Sequence, residues 1–160
     1  MRMDDSRPLK GHSGAGQSSD GGGMTETYEE MLQRHEGLRL SPYIDSVGVQ
    51  TIGYGHNLHK PLTRRSAECI FQDDVADARN DCLHAFPWFP ELSEARQWVL
   101  INMCFNMGLS RLMGFKKFLQ AMALGDYETA AREALDSLWA KQVKSRALEL
   151  ASLIRGSEEA

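Results

Sequence analysis

The spacing of apolar residues changes character several times along the chain. Residues 1–23 (MRMDDSRPLKGHSGAGQSSDGGG) hold no apolar cluster and are rich in Gly, Ser and Asp. Such a stretch cannot offset its ordering entropy by burial, so a flexible leader, in part a tag, is expected there. From Thr25 onward, Tyr28, Met31, Leu32 and His35 fall at helical spacing, with Thr25 or Thr27 available as N-cap. Gly37 is expected to stop this helix in the left-handed conformation, which leaves Glu36 at its C-terminal end. Residues 39–56 (RLSPYIDSVGVQTIGYGH) place two short β-prone runs, Pro42–Ile44 and Val49–Ile52, around the turn-rich Asp45-Ser46-Val47-Gly48. That order predicts a small hairpin or meander. Gly53 and Gly55 alternate with Ile52 and Tyr54, so one strand face lacks side chains. Another part of the chain or a ligand can approach the backbone there.

The rest reads as helix. Thr63 caps a long one in which Ala67, Ile70, Phe71, Val75, Ala78 and Cys82 recur at three- and four-residue steps. Pro87-Trp88-Phe89-Pro90 breaks it. Further helices are expected over Ser93–Met107 (stopped by Gly108), Phe115–Leu124 (stopped by Gly125), Asp126–Leu138 and Lys144–Ile154. The predicted fold is α+β. A hairpin-containing small lobe (about 24–62) and a helical lobe (about 86–160) would be joined by a long helix (about 63–85), as one domain over 24–160. A cleft between two such lobes suits an extended polymer.

Charge and cysteines narrow the field. The net charge is -4, from 18 basic and 22 acidic residues. No basic footprint marks nucleic acid as a partner. Met24–Ala95 carries six basic and twelve acidic residues, and Arg96–Ala160 nine and seven, so an anion-facing surface is expected in the C-terminal part. Cys69, Cys82 and Cys104 are odd in number and widely spaced, which gives neither a disulfide framework nor a zinc pattern. They read as buried small hydrophobes suited to a reducing compartment. Trp88, Trp98 and Trp139 read as core, with Trp88 in its Pro-flanked loop the most open. No metal or cofactor is expected. No run approaches the roughly 18 apolar residues of a membrane span, and no apolar signal core is visible. A soluble product of the cytoplasm is the expectation.

The chemistry centres on Glu36 and Asp45, one at a helix end and one in the following turn, with Thr51 on the next strand. The helix dipole at its C-terminal end disfavours a charged carboxylate. Glycoside hydrolysis needs two roles: an acid for the leaving oxygen, and a base or nucleophile at the sugar. Two carboxylates near a hairpin are common, so residue types alone leave the assignment open.

The spacing from Glu36 through eight residues to Asp45, and through five more to Thr51, carries a resemblance. His35-Glu36-Gly37, Tyr43, Asp45 and Thr51-Ile52-Gly53-Tyr54-Gly55-His56 resemble the active-site signature of the T-even phage lysozymes, glycoside hydrolase family 24. The likeness continues in Phe71-Gln72-Asp73-Asp74-Val75, Ile101-Asn102-Met103, Phe105, Met107-Gly108, Gly114-Phe115, Trp139, Gln142 and Arg146. It implies Glu36 as general acid. Asp45 would stabilise the oxocarbenium-like transition state or guide the attacking water, and Thr51 would position that water or contact the sugar. The family is taken to invert at the anomeric carbon. The resemblance further implies Arg146 as a partner of Glu36 across the cleft, a structural His56–Asp74 ion pair, and Phe105 as a substrate contact. The substrate would be peptidoglycan glycan strands, cut between N-acetylmuramic acid and N-acetylglucosamine. The enzyme would act as a monomer in host lysis and leave the host cytoplasm through a holin-like membrane-pore protein.

The chain departs from this pattern between His56 and Thr63, where it is much shorter than the familiar relatives. A strand and a helix of the small lobe are expected to be missing. Asn57, Phe118 and Glu133 stand where relatives present other substrate-contacting residues. The chain is also acidic where familiar relatives are basic. Two rival readings remain, a lytic transglycosylase and a non-catalytic wall-binding module. The Asp45 and Thr51 matches oppose the first, and the second would leave Glu36 idle.

Overall fold

The computed structural model describes Glu26–Gly156. The leader expected over residues 1–23 lies outside these residues. The chain divides between Pro61 and Leu62 into two compact units.

The first unit opens with α1 (Tyr28–Glu36). Thr27 is its N-cap, completing a capping box. The Thr27 Oγ1 accepts from the Glu30 amide at 3.1 Å, and Glu30 Oε2 accepts from the Thr27 amide at 2.7 Å. The apolar positions that define the helix, Tyr28, Met31 and Leu32, are all exposed. Gly37 ends it with φ 70° but ψ 148°. The expected left-handed cap is therefore not formed, and the extended ψ carries the chain directly into β1 (Arg39–Ile44). An antiparallel sheet of order β1-β2-β3 follows, with β2 Gln50–Gly53 and β3 His56–Asn57. Tyr43 lies opposite Thr51 but Arg39 opposite Gly53, so β1 is irregular between Arg39 and Tyr43. Pro42 falls in that stretch, where a residue without an N–H is tolerated. The Arg39 guanidinium stands 4.5 Å from the Tyr43 ring centre and covers it. The shortened region keeps a two-residue third strand and holds no helix between Asn57 and Thr63.

The second unit is helical. It comprises α2 (Arg64–Ala85), a 3₁₀ turn at Phe89–Glu91, α3 (Glu94–Met107), α4 (Leu109–Leu112), α5 (Lys116–Leu124), α6 (Tyr127–Leu135), α7 (Leu138–Val143) and α8 (Ser145–Arg155). Thr63 and Asp126 cap α2 and α6 through their side chains. Gly125 ends α5 in the left-handed conformation at φ 74°. In α3, Val99, Leu100, Ile101, Met103 and Cys104 are buried on several sides, so it is the core helix. Phe89, Phe118, Leu112, Met122 and Ile154 complete the core. Each such side chain contributes about 2 kcal/mol by leaving water.

Three expectations are corrected here. The helix expected over Asp126–Leu138 ends at Leu135, and a further helix, α7, fills Leu138–Val143, where a link to the last helix was expected. The Ser137 hydroxyl donates to the Ala134 carbonyl at 2.7 Å and accepts from the Ala140 amide at 3.1 Å, closing α6 and starting α7. Cys69 is exposed, while Cys82 and Cys104 are buried. Trp98 is 41% exposed, with the Arg79 guanidinium 5.2 Å from its ring centre. The amphipathic positions of Trp and Arg let that pair sit at the surface.

Candidate active site

Glu36 is the last residue of α1 and is exposed. Its carboxylate does not point away from the unit. A methyl carbon placed on Gly55 would stand 3.1 Å from Glu36 Oε2 and 3.8 Å from its Cδ, so the carboxylate lies against the bare Cα of Gly55. Three residues, Gly53 to Gly55, separate the paired Ile52 and His56, and Gly55 is the last of them, at φ +80°. Loops of that length commonly end on a glycine in this conformation. Gly53 also has positive φ, +67°, but nothing lies within 4 Å of the corresponding position. Of the two bare glycines in the strand, Gly55 is therefore the one that another part of the chain approaches.

Asp45 begins the loop joining β1 to β2. Its Oδ1 accepts from the Val47 amide at 2.9 Å and the Val49 amide at 2.8 Å. The backbone closes the same loop, with the Asp45 amide donating to the Val49 carbonyl at 2.9 Å. Both side-chain bonds fall on one oxygen. The carboxylate is thereby fixed in orientation, and Oδ2 is the oxygen left for a substrate or water.

Thr51 is on the middle strand, between Tyr43 and Asn57, and is 3% exposed, the one buried polar residue among those described. Its Oγ1 donates to the Val49 carbonyl at 3.0 Å. The hydroxyl proton is therefore committed, and the oxygen lone pairs are what Thr51 can offer. The Val49 backbone serves both residues, since its amide holds Asp45 and its carbonyl holds Thr51. His56 starts β3 opposite Ile52 and is exposed.

The remaining candidates belong to the second unit. Asp74 is exposed on α2, and Arg146 is exposed on the first turn of α8. Phe105, near the end of α3, is 46% exposed and meets Phe71 edge-on at 5.7 Å. Phe71, an apolar position of α2 and part of the family likeness with no contact expected of it, is 47% exposed. The two rings form an open aromatic pair, beside a hollow lined by Asp74, Asp77, Ala78, Asp81 and Cys104 as well as Phe105. Next to Phe105, the Asn106 Oδ1 accepts from Trp139 Nε1 at 2.8 Å, which ties α3 to α7. Trp139 is buried as expected and meets Phe115 edge-on.

In the lining of that hollow, Cys104 Sγ lies 3.9 Å from Asp81 Oδ2. Burial, and then the neighbouring Cys104 thiol, push the Cys82 thiol up to about 12. Burial followed by the charge of Asp81 raises the Cys104 thiol. Both are far from thiolate chemistry at neutral pH. Among the described residues, no cluster of His, Cys, Asp and Glu could hold a metal ion.

A carboxyl group at a helix end, a second carboxylate fixed on the adjoining loop and a buried hydroxyl one strand on are the kinds of group that glycoside hydrolysis draws upon. A family model described as phage lysozyme matches residues 33–158, most of the chain, and the chain belongs to that family of glycoside hydrolases. Among similar proteins is the pre-baseplate central spike protein of Enterobacteria phage T4, 33% identical across 78% of this chain. This chain corresponds to only 27% of that protein's length. Probable T4-type lysozyme 1 of Dictyostelium discoideum is 26% identical across 82% of this chain and 95% of its own length. An endolysin of Salmonella phage P22 is 30% identical across 71% of this chain and 80% of its own.

Proposed function

We propose that this chain is a lysozyme that hydrolyses the β-1,4 bond between N-acetylmuramic acid and N-acetylglucosamine in bacterial peptidoglycan. The observation that carries the reading is the shared Val49 anchor of Asp45 and Thr51, in the same small unit as Glu36. Glu36 protonates the leaving glycosidic oxygen. A water attacks the anomeric carbon from the other face, held by Asp45 Oδ2, which takes up its proton. Thr51, whose proton is used by the Val49 carbonyl, accepts a hydrogen bond from that water. Water attack inverts the anomeric configuration and leaves a free reducing end. In this reading Phe105 is a sugar contact, Arg146 a supporting cation, and His56 and Asp74 structural residues. The enzyme works as a monomer in the host cytoplasm until a holin-like pore gives it access to the wall, and lysis follows. Digestion of purified peptidoglycan with mass analysis of the products tests the reading. Hydrated muropeptides with a reducing end support it, and 1,6-anhydro sugars would assign a lytic transglycosylase instead.

A second reading is favoured by the similarity to the central spike protein, of which this chain matches a 27% portion. In that reading the same chemistry serves a particle that opens the wall locally. Release of the protein from infected cells inside virions, instead of free in the lysate, would support this second reading over the first.

A further inference from the structure

We propose that Gly55 is a positioning residue for Glu36. Its missing side chain forms the seat that holds the acid's carboxylate over the β2–β3 loop. The inference rests on the proposed role of Glu36. Three observations carry it. Glu36 Oε2 lies where a Cβ on Gly55 would come within 3.1 Å, closer than an ordinary carbon–oxygen contact. Gly55 sits at φ +80°, so the loop presents its bare Cα with no strain, as residues with a side chain rarely can. Glu36 ends its helix, and no residue of α1 is buried. Core packing in the helix therefore does not fix the side chain, and the loop is the surface against which it rests. The carboxylate remains exposed, so a polymer can reach it while the glycine backs it.

The physical consequence is specific. An alanine at Gly55 displaces the carboxylate by a few tenths of an ångström or turns it to another rotamer. Misplacement of a catalytic group by about 1 Å can cost about 10²-fold in rate. Binding of the remaining glycan contacts is untouched, so the loss falls on kcat. It also falls on proton donation alone. A glycoside with a dinitrophenyl leaving group needs little acid assistance, since that group departs without a proton.

The test compares Gly55→Ala with Gly53→Ala. Gly53 has the same positive-φ strain in the same hairpin but open space around it, so it reports what backbone strain alone does. Gly55→Asn is a second variant, because asparagine tolerates positive φ while its Cβ still meets Glu36. Kinetics are measured on peptidoglycan and on the dinitrophenyl β-glycoside of a wall oligosaccharide, at temperatures set equally far below each variant's Tm. The expected result is a kcat loss of about 10²-fold on peptidoglycan for Gly55→Ala and Gly55→Asn, with KM within about threefold. Most of the rate on the activated glycoside should be kept. Equal losses on both substrates, or equal losses in Gly55→Ala and Gly53→Ala, would overturn the seat and leave a merely structural turn glycine. Glu36→Gln run alongside separates the two claims. If it retains full activity, the reading of Glu36 as the acid is what fails.

Discussion

In the proposed mechanism Asp45 performs two tasks that one pair of substitutions can separate. Its Oδ1 accepts two backbone amides, and its Oδ2 is the oxygen that the proposed mechanism uses. Asp45→Asn keeps a carbonyl oxygen at the first position and removes the negative charge. Asp45→Ala removes both. The Val47 amide is exposed, so water replaces its lost bond at little cost. The bond from the Val49 amide is half-buried, and leaving that donor unpaired costs about 1–2 kcal/mol. Asp45→Ala should therefore lower Tm by about 3–6 °C. Asp45→Asn should lose less, because charge-assisted bonds weaken by about half instead of vanishing. Activity should not follow stability. Both variants lose the charge that serves the transition state, and peptidoglycan hydrolysis should fall by about 10²–10⁴-fold in each. Calorimetry paired with reducing-end release checks both limbs. Near-normal hydrolysis by Asp45→Asn would remove Asp45 from the mechanism. Equal destabilisation by Asn and Ala would refute the two-oxygen division of labour.

Four further outcomes concern the helical unit. The Cys82 thiol is raised from an ordinary 9.0 to about 12, so the folded state keeps a proton that the unfolded chain releases sooner. Its contribution is complete below about 9 and is lost as pH climbs through about 12. Alkaline unfolding of Cys82→Ala should show a shallower pH dependence across that window, and native alkylation near neutral pH should label the exposed Cys69 alone. Lys144 is the one non-glycine residue with positive φ among those described, at φ 44° and ψ -103°. Lys144→Gly should raise stability by about 1 kcal/mol, and an unchanged or lower Tm would contradict that strain. Trp139→Phe loses the 2.8 Å bond to Asn106 and should cost about 1–2 kcal/mol in denaturant unfolding.

Much of this molecule was legible in the chain, for identifiable reasons. Helix limits set by Thr63, Gly108 and Gly125 were readable because caps and glycine stops act within a turn of their own position. The break at Asp136-Ser137 was hidden, because a serine that closes one helix and opens the next looks like an ordinary helix-surface residue. Trp98 and Cys69 were misread since residue type alone does not say which face of a helix is covered. At the site, the Glu36–Asp45–Thr51 spacing was visible, and so was the bare glycine face beside it. Which of Gly53 and Gly55 is approached depends on where the end of α1 comes to rest, a tertiary fact with no local signal. The committed proton of Thr51 is equally invisible, because it depends on the loop geometry that brings the Val49 carbonyl within 3.0 Å.

The central claim is that Glu36 gives the proton that cleaves the glycan. Its most direct test is the rate of reducing-end release from purified peptidoglycan by Glu36→Gln, at a folded fraction matched to the parent protein by calorimetry. Glutamine keeps the size of the side chain and its place against Gly55 but has no carboxyl proton to give. A loss of about 10²–10⁴-fold is predicted. Hydrolysis at the parent rate would contradict the account.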